Sequence, residues 1–373
     1  MNSKVNSIAI ESYNYESLLT ALHALLDPLG GIKKYVKPGM TVLLKPNLLS
    51  ARIPEKAVTT HPALVRVVAE ICVGLGAKVL IGDSPGGIEK GLRRVWNNTG
   101  MTEAAKLSGA ELVGFEEGDV KKEILGDREY HISRYAFDVD FIISLSKLKT
   151  HVLTNFTGAV KNCYGFVPGL KKSDYHKKHP DARSFSGVIV DVFSIVKPGL
   201  HIMDGGLALE GDGPASGNPR WLGYLFASED AVALDSSVMN FICGKKRRVW
   251  PTELAAARGL GIAELSRIDR KGPAFKNGAA PDFRMPGNFY LNLIPYKLVK
   301  AVEPLVWVRP AMDDNSCIMC GICEENCPQD AIYEMDDKMR IDYDKCIKCM
   351  CCHELCPEKA VFLNKSKLAK LIN

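Results

Sequence analysis

Long apolar runs and any strong compositional excess are missing from this sequence. Across its 373 residues, no uninterrupted apolar run approaches the roughly 18 residues that a membrane span needs. The first residues, Met1 to Asn6, lead into a polar stretch without the apolar core of a signal peptide. Hydrophobic residues at 46% and charged residues at 24% argue against a mainly disordered chain. We therefore expect a globular, cytoplasmic protein without a transmembrane segment.

Cysteine is scarce over most of the chain and dense near one end. Cys72, Cys163 and Cys243 are scattered, whereas the other nine of the 12 cysteines lie between Cys317 and Cys356. A secreted disulfide scaffold would be short and rich in cysteine throughout. One dense cluster after a cysteine-poor body indicates a metal site in a reducing compartment.

The cysteine cluster contains the same spacing twice. Cys317-x2-Cys320-x2-Cys323-x3-Cys327-Pro328 is followed, 29 residues further on, by Cys346-x2-Cys349-x2-Cys352-x3-Cys356-Pro357. This is the spacing of bacterial two-cluster ferredoxins, in which the fourth cysteine of each motif ligates the other cluster. We therefore predict two [4Fe-4S] clusters, one held by Cys317, Cys320, Cys323 and Cys356, the other by Cys346, Cys349, Cys352 and Cys327. Zinc is the alternative, but zinc sites would not require the duplicated spacing.

Cys351 lies between two predicted ligands and is surplus to the motif. It is interpreted as an incidental small residue, with a redox or ligand-exchange role as the alternative. From Asp313 to Leu363 the chain resembles the bacterial two-cluster ferredoxin domain. That resemblance implies a small α+β domain that carries single electrons to or from a redox partner protein.

Apolar runs and polar breaks alternate along the preceding body. Predicted helices lie at Leu18–Leu29, after Pro62 and from about Asp230 to Phe241; predicted strands begin at Thr41, Lys78, Phe141, Gly199 and Tyr224. Strands that alternate with helices predict an α/β body with a largely parallel sheet. We assign residues 1–285 to this body, 286–312 to a linker, 313–363 to the ferredoxin domain and 364–373 to a basic tail.

The linker is rich in apolar residues that could lie in a membrane surface. Its prolines, among them Pro295, Pro304 and Pro310, break any long amphipathic helix and favour a segment packed on the body.

Charge is distributed unevenly between body and ferredoxin domain. From Asp313 to Leu363 twelve acidic residues oppose five basic ones, whereas from Lys147 to Ser184 eight basic residues oppose two acidic ones. Three interpretations of the basic segment stay open: a pocket for an anionic substrate or cofactor, docking of the acidic ferredoxin domain, or a solvated loop. A recognised nucleic-acid motif does not accompany it, so we expect no nucleic acid.

Polar loops follow the predicted strands, where open α/β sheets bind ligands. We predict that they hold an anionic or phosphorylated organic molecule. The predicted catalytic residues are Lys149, Lys161 and His151, the last as proton donor because imidazole titrates near neutral pH. The predicted cofactor-binding residues are Lys45, Asn47, Asp83, Ser84, Lys147, Thr157 and Asn162. The loop Gly82–Gly87 lacks the Walker ending and the G-x-G-x-x-G pattern. We interpret Asp204-Gly205-Gly206 as a turn.

These loops resemble the family called domain of unknown function 362, whose members are uncharacterised and often carry a two-cluster ferredoxin end. The matching segments are Lys45-Pro46-Asn47, Gly82–Gly86, Lys147–His151, Thr157–Asn162, Pro168-Gly169 and Gly211–Pro214. The stretch from Thr157 to Gly169, followed by His176, is also similar to a segment of nickel-pincer lactate racemases. It departs from their pattern before Lys161, so this second resemblance implies the fold only.

The sequence as a whole predicts an iron–sulfur electron-transfer protein of reductase type. Its two clusters would exchange electrons with a basic, anion-binding site in the body. The alternative is a non-enzymatic ferredoxin-like carrier or assembly protein whose body docks a partner. A change in cluster reduction that depends on substrate would separate the two.

Overall fold

The structure is a computed structural model that describes residues 2–86, 91–116, 118–169, 171–179, 181–244, 249–278, 280, 282–287 and 305–371. Gly87, Leu170 and most of the predicted linker lie outside these residues. In the part of the chain that is described, no helix has the length and apolarity needed to cross a membrane.

The body alternates strands and helices, as the periodicity predicts. Its strands are β1 (Ser3–Ala9), β2 (Thr41–Pro46), β3 (Lys78–Asp83), β4 (Glu111–Gly114), β5 (Val120–Leu125), β6 (Arg128–Ser133), β7 (Phe141–His151), β8 (Asn155–Phe156), β9 (Leu200–Glu210), β10 (Asn218–Ser228) and β11 (Ile268–Lys271). Its helices are α1 (Tyr15–Leu26), α2 (Pro62–Gly74), α3 (Leu92–Asn98), α4 (Met101–Ser108), α5 (Gly158–Asn162), α6 (Lys171–Lys178), α7 (Ala182–Val196), α8 (Ala231–Cys243), α9 (Trp250–Ala257) and α10 (Pro273–Lys276).

The main sheet has the order β11-β1-β10-β9-β7-β2-β3-β4, with β8 beside β7. All neighbours from β9 through β4 are parallel, and β1 is parallel to β11. β10 runs antiparallel to both β1 and β9. The predicted α/β body with a largely parallel sheet is therefore confirmed.

Both faces of this sheet are buried, which explains why its strands are almost continuously apolar. Successive residues of β2 point to opposite faces: Val42 and Leu44 pack with α1 and α2, whereas Leu43 packs with α7 and α8. The ends of the parallel strands β2, β3 and β7 meet at one edge, where the polar residues lie.

Two strands extend beyond their predicted ends. β7 continues from Leu145 to His151 because its last residues pair with β9 and with β8. Lys147, Lys149 and His151 are therefore strand residues, not loop residues. β9 likewise continues through Asp204-Gly205-Gly206, so the interpretation of that segment as a turn is wrong.

The C-terminal module is a small α+β unit. Its elements are β12 (Val308–Met312), α11 (Ile322–Glu325), β13 (Ile332–Met335), β14 (Lys338–Ile341), α12 (Cys351–Leu355), β15 (Val361–Lys365) and α13 (Lys367–Leu371). β12 pairs with β15 and β13 pairs with β14, both antiparallel. The first and last strands of the module thus close it into one unit. The domain boundaries within the chain stay predictions.

Candidate functional site

The eight predicted cluster ligands line two cavities of the C-terminal module, each enclosing about 350 Å³ with solvent-open space included. One cavity is lined by Cys317, Cys320, Cys323 and Cys356. The other is lined by Cys346, Cys349, Cys352 and Cys327, and also by Cys351. Each cavity combines three thiols of one motif with the fourth of the other, which is the grouping that crossed ligation predicts.

The loops between these thiols adopt backbone conformations that side chains rarely tolerate. Gly321 has a φ of 74°, and Met319, Lys348 and Met350 have φ values of 55°, 57° and 66°. Non-glycine residues with positive φ are uncommon and persist where their surroundings impose the conformation. Here they alternate with the cysteines and wrap each loop around its cavity.

The donors and walls of both cavities fit a [4Fe-4S] cluster, which needs four thiolates. Apolar side chains such as Ile332 and Ile341 complete one wall. Burial and the neighbouring thiols raise the pKa of Cys323 to about 11. The thiolate form at this position would therefore need bound iron, and not water, to stabilise it.

A cleft separates the body from the module and encloses about 690 Å³, open solvent included. The ends of β2 and β3, together with α5 and α6, form its body side. Helix α12 forms the other side with Cys351, Glu354 and Leu355. Seven predicted site residues line this cleft: Lys45, Asn47, Asp83, Ser84, Thr157, Lys161 and Asn162.

Hydrogen bonds fix the orientation of two asparagine amides in the cleft. Nδ2 of Asn162 donates to the carbonyl oxygen of Lys45 at 3.1 Å and to Oγ of Ser144 at 2.9 Å. Oδ1 of Asn162 therefore accepts, from Nζ of Lys45 at 3.1 Å and from Nδ2 of Asn47 at 3.2 Å. This leaves Oδ1 of Asn47 as a buried acceptor without a hydrogen bond to any described residue.

Lys45 and Asp83 form a buried ion pair beneath these amides. Nζ of Lys45 lies 2.7 Å from Oδ1 of Asp83, and the two side chains are 1% and 3% exposed. Asp83 also accepts from the backbone N–H groups of Leu48 and Ser84 at 2.6 Å and 2.9 Å. A Cβ atom at Gly165 would lie 2.1 Å from Oδ1 of Asp83. The pair therefore depends on a glycine at position 165.

The other two lysines of the cleft differ in how they are bonded. Nζ of Lys172 donates to Ser84 O at 2.6 Å, Ser84 Oγ at 2.5 Å and Pro85 O at 2.9 Å, which uses all three of its hydrogens. Lys161 makes no hydrogen bond or ion pair with a described residue, and burial lowers its pKa. Lys161 is therefore the ammonium group available to a ligand.

Two further side chains of the cleft have a buried polar atom without a partner in the described structure. These atoms are Oγ1 of Thr157 and Nδ1 of His176, in residues that are 4% and 7% exposed. An unsatisfied buried polar group costs on the order of 1–3 kcal/mol. Together with Asn47 and Lys161, they form a set of groups that a polar ligand would satisfy.

His151 joins the body to the module. Its Nδ1 accepts from the backbone N–H groups of Leu153 at 3.1 Å and Thr154 at 3.4 Å, so the neutral ring carries its proton on Nε2. Nε2 lies 3.0 Å from Oε1 of Glu354, although the angle falls outside hydrogen-bond geometry. Burial, together with nearby Lys161, lowers the pKa of His151 to about 4. The imidazole is therefore neutral at pH 7.

Glu354 is ionised beside this neutral ring. Burial acts to raise its pKa, but His151 and Lys161 outweigh burial and hold the pKa at about 2. Because His151 is neutral at pH 7, Lys161 is the cation that stabilises the carboxylate there.

Lys149 and Lys147 lie outside the cleft lining. Nζ of Lys149 donates to the carbonyl oxygen of Val58 at 2.7 Å, and burial lowers its pKa well below the usual value. Nζ of Lys147 pairs with Asp204 at 2.7 Å, and Asp204 also accepts from Tyr13 Oη at 2.5 Å. The structure thus brings His151 to the edge of the cleft and places Lys147 in a separate, satisfied network. The functional roles assigned to these three residues stay predictions.

The cleft is also lined by residues that were not among the predicted catalytic and cofactor-binding residues, among them Lys172, His176, Cys351 and Glu354. Lys172 and His176 are four residues apart on α6, and this helical spacing within the basic segment could have placed them on one face. Glu354 gave no such signal, because only the docking of α12 against the body brings it to His151.

The fold and site define an iron–sulfur protein with an α/β body. Residues 42–240 match the family described as Domain of unknown function (DUF362), and the chain belongs to that family. Residues 310–333 and 339–362 match the 4Fe-4S binding domain. The resemblances to the domain of unknown function 362 family and to the two-cluster ferredoxin domain are confirmed, and the two 4Fe-4S matches fit the predicted count of two clusters.

A thylakoid-associated protein of Synechocystis sp. (strain ATCC 27184 / PCC 6803 / Kazusa) is 37% identical over 244 residues, covering 65% of this chain and 75% of that protein. The apoprotein of lactate racemase from Thermoanaerobacterium thermosaccharolyticum is similar with a TM-score of 0.42 and 11% identity. That similarity covers 64% of this chain, which spans 57% of the racemase chain.

Proposed function

We propose that the protein is a reductase-type iron–sulfur enzyme that binds a small anion in the cleft between the body and the C-terminal module. One observation carries the proposal: the same cleft is lined by Lys161, an ammonium without a direct partner among the described residues, and by Cys351, which also lines the second cysteine cavity. When bound, [4Fe-4S] clusters supply one-electron transfer. An anion beside Lys161 would lie against the wall of that cavity.

The chain's own residues would bind and orient this anion. Lys161 attracts its charge, and Thr157 and Asn47 offer polar atoms that fix its position. A Cβ atom at Gly86 would lie 3.1 Å from Leu355 and 3.3 Å from Leu49, so the glycine leaves room for these two leucines of the module and the body to approach each other at the cleft. Where the body and the module keep water out of the cleft, the effective dielectric constant falls and electrostatic interactions become stronger. The neutral ring of His151 keeps its proton on Nε2 and directs it at Glu354, so His151 would orient that carboxylate; proton donation would require the imidazolium form, which burial disfavours.

The alternative, a non-enzymatic carrier, is favoured by contacts that bind the module directly to the body. Nη2 of Arg52 donates to the carbonyl oxygen of Cys356 at 2.8 Å. Nζ of Lys359 donates to the carbonyl oxygen of Gly217 at 2.9 Å. In this alternative the basic segment serves only to dock the module, and the redox partner takes electrons without any ligand in the cleft.

Calorimetry on the full-length protein, purified anaerobically with its clusters, tests the proposal. We expect phosphate or acetate to bind, and Lys161→Gln to weaken that binding about tenfold or more. Lys106→Gln, at an exposed position of α4, is the matched control and should change nothing. If the protein binds neither anion, or binds an anion equally well after Lys161→Gln, the proposed anion site in the cleft is refuted. The non-enzymatic carrier is then the remaining hypothesis. Anion-dependent shifts in the cluster reduction potential would add support.

We also propose a cytoplasmic location. The description of the relative as thylakoid-associated makes attachment to a membrane surface the alternative. Fractionation of cells expressing the tagged protein would decide between them.

A further inference from the structure

We propose that the ligand of the cleft is an anion that also carries its own hydroxyl group, so that it accepts hydrogen bonds at one atom and donates at another. This inference rests on the proposed function, because it specifies which anion the cleft would take. It follows from which polar atoms of the cleft are already bonded and which are not.

The unpaired group of Asn47 is an acceptor and cannot be exchanged for a donor. Turning its amide over would place its Oδ1 against Oδ1 of Asn162, which is itself fixed as an acceptor by its bonds from Lys45 and to Ser144. Two carbonyl oxygens in contact repel each other. Oδ1 of Asn47 therefore needs a donor, and a bare anion has none to offer.

A second acceptor lies in the same cleft. Oε1 of Glu354 is buried, and its contact with Nε2 of His151 is poorly aligned, so it accepts no hydrogen bond from the described residues. A ligand bearing only acceptor oxygens would place them against Asn47 Oδ1 and the Glu354 carboxylate. Burial of facing acceptors without a proton between them is unfavourable.

The donors of the cleft account for the anionic part of the ligand. Within the described part of the chain, the ammonium group of Lys161 has no direct partner, and the hydroxyl of Thr157 has none either. Lys172 and Lys45 are excluded because Ser84, Pro85, Asn162 and Asp83 already take their hydrogens. One charged donor and two acceptors without a well-aligned hydrogen bond thus line the same cleft, a set that matches an anion with a hydroxyl group.

Two pairs of probes differ in this hydroxyl and little else. Glycolate carries a hydroxyl that methoxyacetate replaces with an ether, and phosphate near pH 7 carries an O–H that sulfate lacks. We expect the full-length, cluster-containing protein to bind the hydroxyl-bearing member of at least one pair about three- to tenfold more tightly, the size of one net hydrogen bond. A preference within the first pair indicates a hydroxy acid, and one within the second a protonated oxyanion.

Asn47→Ala tests whether Asn47 causes the preference. The backbone bonds between residues 47 and 60 do not involve the substituted side chain, so the loop should keep its conformation. We expect the preference to disappear in Asn47→Ala and to persist in Asn98→Ala, whose side chain lies on the exposed α3.

The results separate this inference from the proposed function. Equal binding of both members of each pair by the wild-type protein, still weakened by Lys161→Gln, overturns the hydroxyl inference and leaves the anion cleft standing. If no probe binds, or if Lys161→Gln leaves the binding of every probe unchanged, both the hydroxyl inference and the anion cleft are overturned. Because the wild-type comparison alone is decisive, failure of Asn47→Ala to fold does not affect the outcome.

Discussion

Replacing Asp83 with Asn should destabilise the body strongly, because it removes the charge that compensates Lys45. Both side chains are almost fully buried and lie 2.7 Å apart. Breaking a buried ion pair by removing one partner costs about 3–5 kcal/mol, since the remaining charge stays out of water. Lys45 would keep only two uncharged acceptors, the carbonyl oxygen of Pro46 at 3.0 Å and Oδ1 of Asn162 at 3.1 Å.

The double variant Lys45→Met/Asp83→Asn should recover most of this loss. With both charges gone, the site holds an apolar chain and an amide whose single oxygen keeps one of the two bonds that the Asp83 oxygens accept separately from the backbone N–H groups of Leu48 and Ser84. We therefore expect the double variant to lose at least about 2 kcal/mol less than the sum of the two single losses.

Urea unfolding under anaerobic conditions, followed by tryptophan fluorescence, measures these changes. For an m-value of about 3 kcal/mol/M, the single variants should unfold at urea concentrations about 1–1.7 M lower than the wild type. Lys78→Met, at an exposed pair with Glu111 on the same sheet, is the control and should shift the midpoint little. A loss below about 1 kcal/mol for Asp83→Asn, or losses that simply add in the double variant, would contradict the reasoning.

Three further predictions concern the clusters and the body. The anaerobically purified protein should contain about eight iron and eight sulfide per chain, and zinc without sulfide would contradict this content. Cys327→Ser should damage the cluster bound by the second motif, whereas damage confined to the first motif would contradict the crossed ligation. Cys351→Ser should leave iron content and the reduced-state spectrum unchanged, and loss of four iron atoms would make Cys351 a ligand. Burial raises the pKa of Asp235 to about 7, so its carboxyl is protonated in the fold while it ionises in the unfolded chain above pH 4. Stability should therefore fall as the pH rises from about 4 to 7, by up to about 4 kcal/mol, and Asp235→Asn should flatten that slope in pH-dependent unfolding; an unchanged slope would show that another group causes it.

The sequence was sufficient for the class of fold because both sheet faces are buried. Runs such as Thr41–Leu44 and Phe141–Leu145 are apolar on both sides, so their strands were predicted from composition alone. The ends of β7 and β9 were not predicted. There, polar and glycine residues continue as strand because neighbouring strands pair with them. Local propensity does not contain this tertiary effect.

The cleft was predicted in part for a similar reason. The topology brings together the ends of the parallel strands, where Lys45 of β2 and Asp83 of β3 lie, and the helix α5 that carries Asn162. Lys147 has the same residue type and a similar position, yet it is taken by Asp204 from the adjacent strand. A count of charges cannot separate a lysine that is already paired from one that is free. Only the packed structure shows that Lys147 is paired, whereas Lys161 has no direct partner among the described residues.

Helix α12 has a consequence for how the protein matures. Five residues long, it carries Cys352 of the second cysteine cavity and, within the same turn and a half, Glu354 and Leu355 of the cleft. A helix this short has little stability of its own, so bound iron and sulfide would hold it in place. A chain newly made without iron should then have a cleft with only one wall, and ligand binding would begin only after cluster insertion. Oxygen damage to that cluster would reverse the step and release the ligand along with the metal.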